Sequence, residues 1–496
     1  MNNFYITTPI YYVNDIPHIG HAYTSVAADV LARYHRMRNE EVYFLTGTDE
    51  HGQKIASSAL KNNKDPQEFT DFYSQKFRDL TIALNLSNND FIRTTEERHK
   101  KAASFLWERL VESGNIYLDS YSGWYAVRDE AFYQESELID GKAPTGAPVE
   151  WVEEPSYFFA LSKWQDKLLE LYEQNPDFIW PKARRNEVIS FVKSGLKDLS
   201  VSRTSFNWGV PVPGNDKHIM YVWLDALTNY ISALGYPEDT ELMKKFWPGI
   251  HMVGKDILRF HTVYWPAFLM AANLPVPKQI IAHGWWTNEG QKISKSLGNV
   301  IDPYELIKIY GLDQTRYFML REVPFGNDGN YSKSSCIRRL NSELSNNFGN
   351  LMQRVVSFIH KNCESRIPKG QHDPIFLQVA ELVKNYHNFM ENYEFHNALE
   401  VVVNIGNLAN IYIDEQAPWN LRKDNPEKMA HVLFVLINII KQIAILLLPF
   451  MPTLSQIMLE VLNVEANDFS ELEDLLPIGG LLKEVQPIFP RIEEAV

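Results

Sequence analysis

The chain opens with a strand, a long helix and a second strand in direct succession, and that order constrains the fold more than any other feature. Phe4-Tyr5-Ile6-Thr7-Thr8 is β-branched and aromatic, and Pro9 is expected to end the strand. A helix is expected over about 18–38, followed by a short strand at Val42-Tyr43-Phe44-Leu45. Two strands joined by a helical crossover pair in parallel, so the unit predicts a Rossmann-like parallel sheet. The same texture returns much later. Ile219-Met220-Tyr221-Val222-Trp223, Ile250-His251-Met252-Val253 and Gln279-Ile280-Ile281-Ala282 each read as a strand with a polar or Gly-rich loop behind it.

Between these halves, from about residue 116 to Pro213, short aromatic segments alternate with Gly and Pro, the signature of hairpins and small helices. After about Ser335, residues 341–360, 375–393, 396–414 and 426–447 carry apolar side chains at helical spacing. The expected architecture is α/β, with a Rossmann-like parallel sheet split by an inserted connective domain and followed by an all-α helical bundle. The divisions expected are 1–115, 116–213, 214–334 and 335–496.

Composition narrows the function classes. A net charge of -14 argues against sequence-blind nucleic-acid binding, although a local basic face can still track phosphates. The two cysteines, Cys336 and Cys363, have no metal or redox spacing, which points to a reducing compartment. The apolar run 432–450 contains Asn438 and Lys441 and reads as a buried helix rather than a membrane span. The N-terminus lacks the charged and apolar regions of a signal peptide. A cytoplasmic location without membrane association is expected.

Two short motifs carry chemistry. His18-Ile19-Gly20-His21 follows the first strand and opens the first helix. Helix N-termini attract phosphate oxygens, and two imidazoles there can donate to charge that builds during displacement. Gly20 leaves room for a ligand at the backbone. Lys292-Ile293-Ser294-Lys295-Ser296 lies in a polar loop between Gly290 and Gly298. Its lysines suit the charge of a leaving pyrophosphate. Alone, the first motif reads as a helix cap with surface histidines and the second as a solvated basic loop. As a pair, flanking a split α/β domain, they resemble the class I aminoacyl-tRNA synthetases. Ile293 departs from the usual Met at an apolar position.

Longer segments resemble the methionyl-tRNA synthetases over nearly the whole chain. They are Ile10-Tyr11-Tyr12-Val13-Asn14, Gly47-Thr48-Asp49-Glu50-His51-Gly52, Tyr221-Val222-Trp223-Leu224-Asp225-Ala226, Gly254-Lys255-Asp256-Ile257 and Phe260-His261. The resemblance implies a methionine pocket of Ile10, Tyr12, Trp223, Ala226, Tyr230 and His261, with Asp49 pairing the substrate ammonium. Aromatic rings suit a polarizable thioether, and His261 or Tyr12 can offer it a weak donor. Arg203 is implied beside Asp49, orienting it and keeping it ionised. For ATP, the resemblance assigns His18, Gly20, His21, Lys292, Ser294 and Lys295 to the phosphates. Gly254 and Asp256 are assigned to the ribose and His283 to the adenine. His18, His21, Lys292 and Lys295 are the catalytic set, with Mg²⁺ on the phosphates.

The resemblance extends to Asn350-Leu351-Met352-Gln353-Arg354 and Asp414-Glu415-Gln416-Ala417-Pro418-Trp419, and implies that the helical tail reads the anticodon of tRNA(Met), including the initiator, through Asn350, Arg354 and Trp419. Many relatives carry zinc on cysteine knuckles in the inserted domain. Here Ala126 and Asp129 stand where Cys is expected, so no structural zinc is predicted. The sequence ends soon after the bundle without the dimerising RNA-binding barrel of some relatives, and a monomer is expected. A synthetase for valine, leucine or isoleucine would need a larger editing domain than 116–213 offers.

Overall fold

The computed structural model describes residues 2–129, 131–293, 298–484 and 486–493. The chain gathers into two compact units, one of residues 2–17 and 42–283, the other of 18–41 and 284–496.

The first unit is built on a six-stranded sheet. Its strands are β1 (Asn3–Tyr12), β2 (Glu41–Asp49), β3 (Asp90–Arg93), β4 (Ile179–Trp180), β5 (Ile250–Gly254) and β6 (Gln279–His283), in the order β3-β2-β1-β5-β6-β4. β1 pairs β5, β5 pairs β6, β6 pairs β4 and β2 pairs β3, all in parallel. β1 and β5 are buried along most of their length, as strands of a parallel sheet covered on both faces must be.

Two expectations are corrected here. β1 does not stop at Pro9 but runs on to Tyr12. Its pairing with β5 covers Ile6 and Thr7, so the missing N–H of Pro9 falls beyond those partners. Residues 219–223 are not one strand: a strand Asn215–Met220 ends there and a short helix Val222–Leu227 begins. A short run of apolar and β-branched residues does not tell strand from helix. The strand pairs antiparallel with Ser202–Arg203 and Pro211–Val212 rather than joining the parallel sheet. The stretch 116–213 also lends the main sheet its edge strand β4.

The rest of that stretch forms a separate antiparallel sheet of four strands: Ala131–Tyr133, Ile116–Ala126, Glu150–Phe159 and Leu199–Ser200. Across it, Trp124 and Trp151 meet edge to face at 5.3 Å.

The second unit holds the helix α1 (Ile19–Met37), a three-stranded sheet and the bundle. In the sheet, Trp286–Asn288 lies between Gln291–Lys292 and Gly329–Tyr331. The bundle helices are Asn350–Asn362, Ile375–Glu391, Phe395–Gln416, Pro426–Leu447 and Pro452–Val461; the middle three lie close to their expected spans, the span expected at 341–360 begins as a separate π-helix Leu340–Gly349, and the last was not expected. Pro426–Leu447 is long and apolar enough to cross a membrane by composition, yet 83% of its most apolar window is buried inside the protein. A buried ion pair fastens α1 to this framework: Arg316 Nη2 donates to Asp29 Oδ2 at 2.7 Å, and its Nε donates to the Phe450 carbonyl. Asn347 adds a second tie, donating to Val403 O and Asn407 Oδ1 and accepting from Asn410. Gly406 leaves room for it, because a Cβ there would lie 2.4 Å from Asn347 Oδ1.

Candidate active site

α1 begins in an unusual way. His18 is not inside the helix but caps it with extended backbone, φ -134° and ψ 177°. The Gly20 N–H donates to His18 Nδ1 and the His18 N–H donates to His21 Nδ1, each at 3.1 Å. This is a capping box with imidazoles in the places usually held by Ser and Glu. A nitrogen that accepts from a backbone N–H carries no proton, so the proton of each neutral ring sits on Nε2. Burial, and then His18, push the His21 pKa well below the ordinary histidine value. The motif thus presents neutral Nε2–H donors rather than two cations. The rings lie 3.9 Å apart. Gly20 makes room for the cap itself, since a Cβ there would meet His18 Cε1 at 2.9 Å.

The same helix start is stitched to the second motif's segment: Ile19 N–H donates to the Ile301 carbonyl at 3.0 Å. Lys292 ends the strand Gln291–Lys292, is exposed, and extends its ammonium over the Trp285 ring at 5.8 Å. Asn299 closes the base of the loop, donating to the Lys292 carbonyl while its own carbonyl accepts from Asn288. Ser294 and Lys295 lie outside the described residues.

In the first unit, Gly254, Asp256 and His283 come together. Gly254 and His283 are partners in the β5–β6 register. A Cβ on Gly254 would lie 2.4 Å from Asp256 Oδ1 and 3.8 Å from His283 Cε1. All three stand at or just past the carboxyl ends of parallel strands, where open sheets bind nucleotides.

The residues expected to hold methionine also converge. Ile10, Tyr12, Trp223 and Tyr230 pack into one hydrophobic cluster. Trp223 stacks flat on Phe260 at 3.6 Å, and its edge meets His261. Ala226 lies on the same short helix as Trp223. Asp49 closes β2, buried, and its carbonyl accepts from Val13 N–H beside Tyr12. His261 is 1% exposed. Its Nδ1 faces the Ile257 carbonyl at 2.9 Å, which can only accept, so Nδ1 carries the proton and Nε2 accepts from the Tyr230 hydroxyl at 2.6 Å. Burial lowers the His261 pKa to about 4 and keeps the ring neutral. Both nitrogens are thereby committed, so His261 has no donor to spare for a thioether. Arg203 is buried, donates to Ser200 Oγ and the Ser202 carbonyl, and lies over the rings of Phe132, Tyr221 and Tyr125.

In the bundle, Arg354 and Trp419 meet. The guanidinium lies 5.5 Å from the ring centre and bonds Asp414 at 2.7 Å. Ala417, at φ 42°, turns the chain so that Trp419 projects from a new short helix at 44% exposure. Asn350 lies one turn before Arg354, also exposed.

Sequence reasoning quoted Phe260 beside His261 but gave it no role. It also passed over a buried network in which Asp225 accepts from both His51 and His99. No periodicity links residues so far apart.

Comparison with known proteins shows the family. A family model described as class I tRNA synthetases (M) matches residues 4–148 and 137–356. A second, the anticodon binding domain of methionyl tRNA ligase, matches 367–495. Methionine–tRNA ligase of Rickettsia conorii is 60% identical, over 99% of this chain and 100% of its own length. That of Brucella suis is 51% identical, over 99% and 98%. Mycobacterium tuberculosis methionyl-tRNA synthetase in complex with methionyl-adenylate superposes with a TM-score of 0.96, at 45% identity over 99% of this chain and 100% of the other. With its family models, its full-length relatives and its fold in agreement, the chain belongs to the methionyl-tRNA synthetases of the class I aminoacyl-tRNA synthetases.

Proposed function

We propose that this chain forms methionyl-adenylate from methionine and ATP and passes the methionyl group to tRNA(Met), using the residues assigned above. A carboxylate oxygen of methionine attacks the α-phosphorus in line and pyrophosphate leaves. A hydroxyl of the 3′-terminal adenosine then attacks the methionyl carbonyl and AMP leaves. No protein nucleophile is needed, so the chain contributes position and charge stabilisation.

The observation that carries this reading is the His18–His21 cap. It fixes two neutral Nε2 donors at a helix N-terminus, stitched to Ile301 just beyond the Lys292 loop. Such donors bind phosphate oxygens harder as charge moves onto them, while Lys292 and Lys295 neutralise the departing pyrophosphate. Gly20 and Ser294 complete the phosphate contacts, Gly254 and Asp256 hold the ribose, and His283 flanks the adenine. Mg²⁺ travels with the ATP phosphates and offsets their charge.

Asp49 takes the ammonium, and Arg203 orients it. Ile10, Tyr12, Trp223, Ala226, Tyr230 and His261 enclose the side chain, His261 acting through the Tyr230 hydroxyl. Asn350, Arg354 and Trp419 read the anticodon by stacking and edge hydrogen bonds, in elongator and initiator alike. The chain works as a cytoplasmic monomer, away from membranes, with the division 1–115, 116–213, 214–334 and 335–496.

Structural zinc does not fit the residues present. Ala126 has no ligand atom, and the Asp129 carboxylate accepts from Tyr133 and Thr145. Elemental analysis is expected to find no stoichiometric zinc. The test of the main reading is ATP–pyrophosphate exchange against a panel of amino acids, with methionine alone supporting rapid exchange. Equal exchange with leucine, or none with methionine, would overturn it.

A further inference from the structure

The Asp225 carboxylate is fully buried, yet no step above uses it. It accepts from His51 Nδ1 on one oxygen and from His99 Nε2 on the other, each at 2.7 Å. His99 Nδ1 in turn faces Ser232 Oγ at 3.0 Å. Burial alone would raise the acid's pKa, but the two histidines outweigh it and bring it down to about 2. Burying an ionised carboxylate costs several kcal/mol before its partners repay it, so the arrangement calls for a reason.

The reason lies in what the four residues are attached to. His51 is two residues beyond Asp49. Asp225 sits on the helix Val222–Leu227 between Trp223 and Ala226. Ser232 closes the turn Asn229–Ser232 that carries Tyr230. One carboxylate thus fastens, from behind, the loop with the ammonium partner and the two segments with the side-chain pocket. The loop has other anchors of its own. Glu50 is held by Arg93 at 2.7 and 2.9 Å and by Thr48, its N–H donates to Thr94, and Trp208 brackets Glu50 and Gly52. None of those anchors reaches the Trp223 helix. The Asp225 link therefore adds registration of the loop against the pocket rather than the loop's fold.

We propose that Asp225, acting through His51 and His99, is a positioning residue that sets Asp49 at the correct distance from the aromatic pocket for the substrate ammonium. This rests on the reading of Asp49 as the ammonium partner. An ammonium–carboxylate contact depends steeply on distance and angle, so a small displacement of Asp49 weakens ligands that bear the amine and spares those that lack it.

The test uses the full-length enzyme and two competitive inhibitors of pyrophosphate exchange. L-methioninol keeps the amine, and 4-(methylthio)butyrate keeps the thioether and carboxylate without it. His51→Leu is expected to weaken methioninol about tenfold while leaving the amine-free acid unchanged. His51→Asn, whose amide can donate in place of Nδ1, is expected to restore most of the loss. Asp49→Asn is the control. If it fails to weaken methioninol selectively, the reading of Asp49 falls. If it does so and His51→Leu does not, or His51→Leu weakens both inhibitors alike, the positioning role falls. Should His51→Leu not fold, Ser232→Ala, which removes only the hydroxyl behind His99, is expected to give a smaller loss of the same selectivity. Equal weakening of both inhibitors, or no change, overturns the proposal there too.

Discussion

Tyr230 and His261 are almost wholly buried and bonded to each other, and His261 has a partner on each ring nitrogen, whereas Lys292 stands exposed beside the exposed Trp285. The side chains proposed to enclose the methionine thioether are thus held by hydrogen bonds of their own. The lysine end of the phosphate apparatus is held at its base, by Asn299 and Asn288, and reaches into solvent from there. The difference follows from the tasks. Telling a thioether from other apolar side chains relies on shape and on buried polar groups that penalise a misfit. Stabilising a departing pyrophosphate relies on charge, which acts over distance and tolerates adjustment. The His18–His21 cap combines the two: backbone hydrogen bonds fix its rings, and its Nε2 donors are the ones proposed for phosphate.

The sharpest way to break this contrast is to remove a donor and keep its cap. His18→Asn retains an oxygen that can accept the Gly20 N–H but lacks the Nε2 donor. It is expected to slow adenylate formation about 10²–10³-fold with methionine affinity unchanged, read by single-turnover activation. A matching loss of methionine binding would show that the histidine is structural.

In the bundle, Trp419→Ala is expected to lower kcat/KM for tRNA about ten- to a hundredfold, from the loss of one stacked base. Pyrophosphate exchange should be untouched. Equal loss in both assays would assign Trp419 to folding.

Tyr230→Phe is the counterpart in the pocket. It strands His261 Nε2 without a donor, a cost of about 1–3 kcal/mol. The expected reading is about a tenfold higher KM for methionine with kcat nearly constant.

The smallest effect on activity concerns pH. His21 and His251 are held well below the ordinary histidine pKa, and His261 at about 4, in each case chiefly by burial. The unfolded chain takes up protons at these sites near pH 6.5 and the folded chain does not. Stability is therefore fully present above that pH and falls on acidification, by about 1.4 kcal/mol per pH unit for each such histidine. The methionine KM is expected to stay flat from pH 8 to 6.5. Thermal melts should show the decline beginning below 6.5, and His261→Phe should make it shallower, leaving the share of His21 and His251.

What the sequence revealed follows the range over which each signal acts. The bundle helices were legible because apolar spacing is local, whereas the left-handed turn at Ala417 that projects Trp419 shows only in the backbone. The motif at 18–21 announced a helix start, but not that His18 and His21 replace Ser and Glu in the cap and so fix their own tautomers. Residues 219–223 misled because an apolar aromatic run suits a strand and a buried helix alike. Of the two thioether donors expected, His261 or Tyr12, His261 has both ring nitrogens engaged by Ile257 O and Tyr230 Oη, which only the fold brings to the ring. The Asp225 network was invisible for the same reason: His51 lies 174 residues away and His99 126.

The division between positioned pocket and charge-stabilising motif meets its most direct test in transient kinetics that separate methionine Kd from the rate constant of adenylate formation. His18→Asn and Tyr230→Phe are measured side by side. The account predicts that the first lowers only the rate constant and the second raises mainly Kd. Both variants shifting both quantities in equal proportion would contradict it.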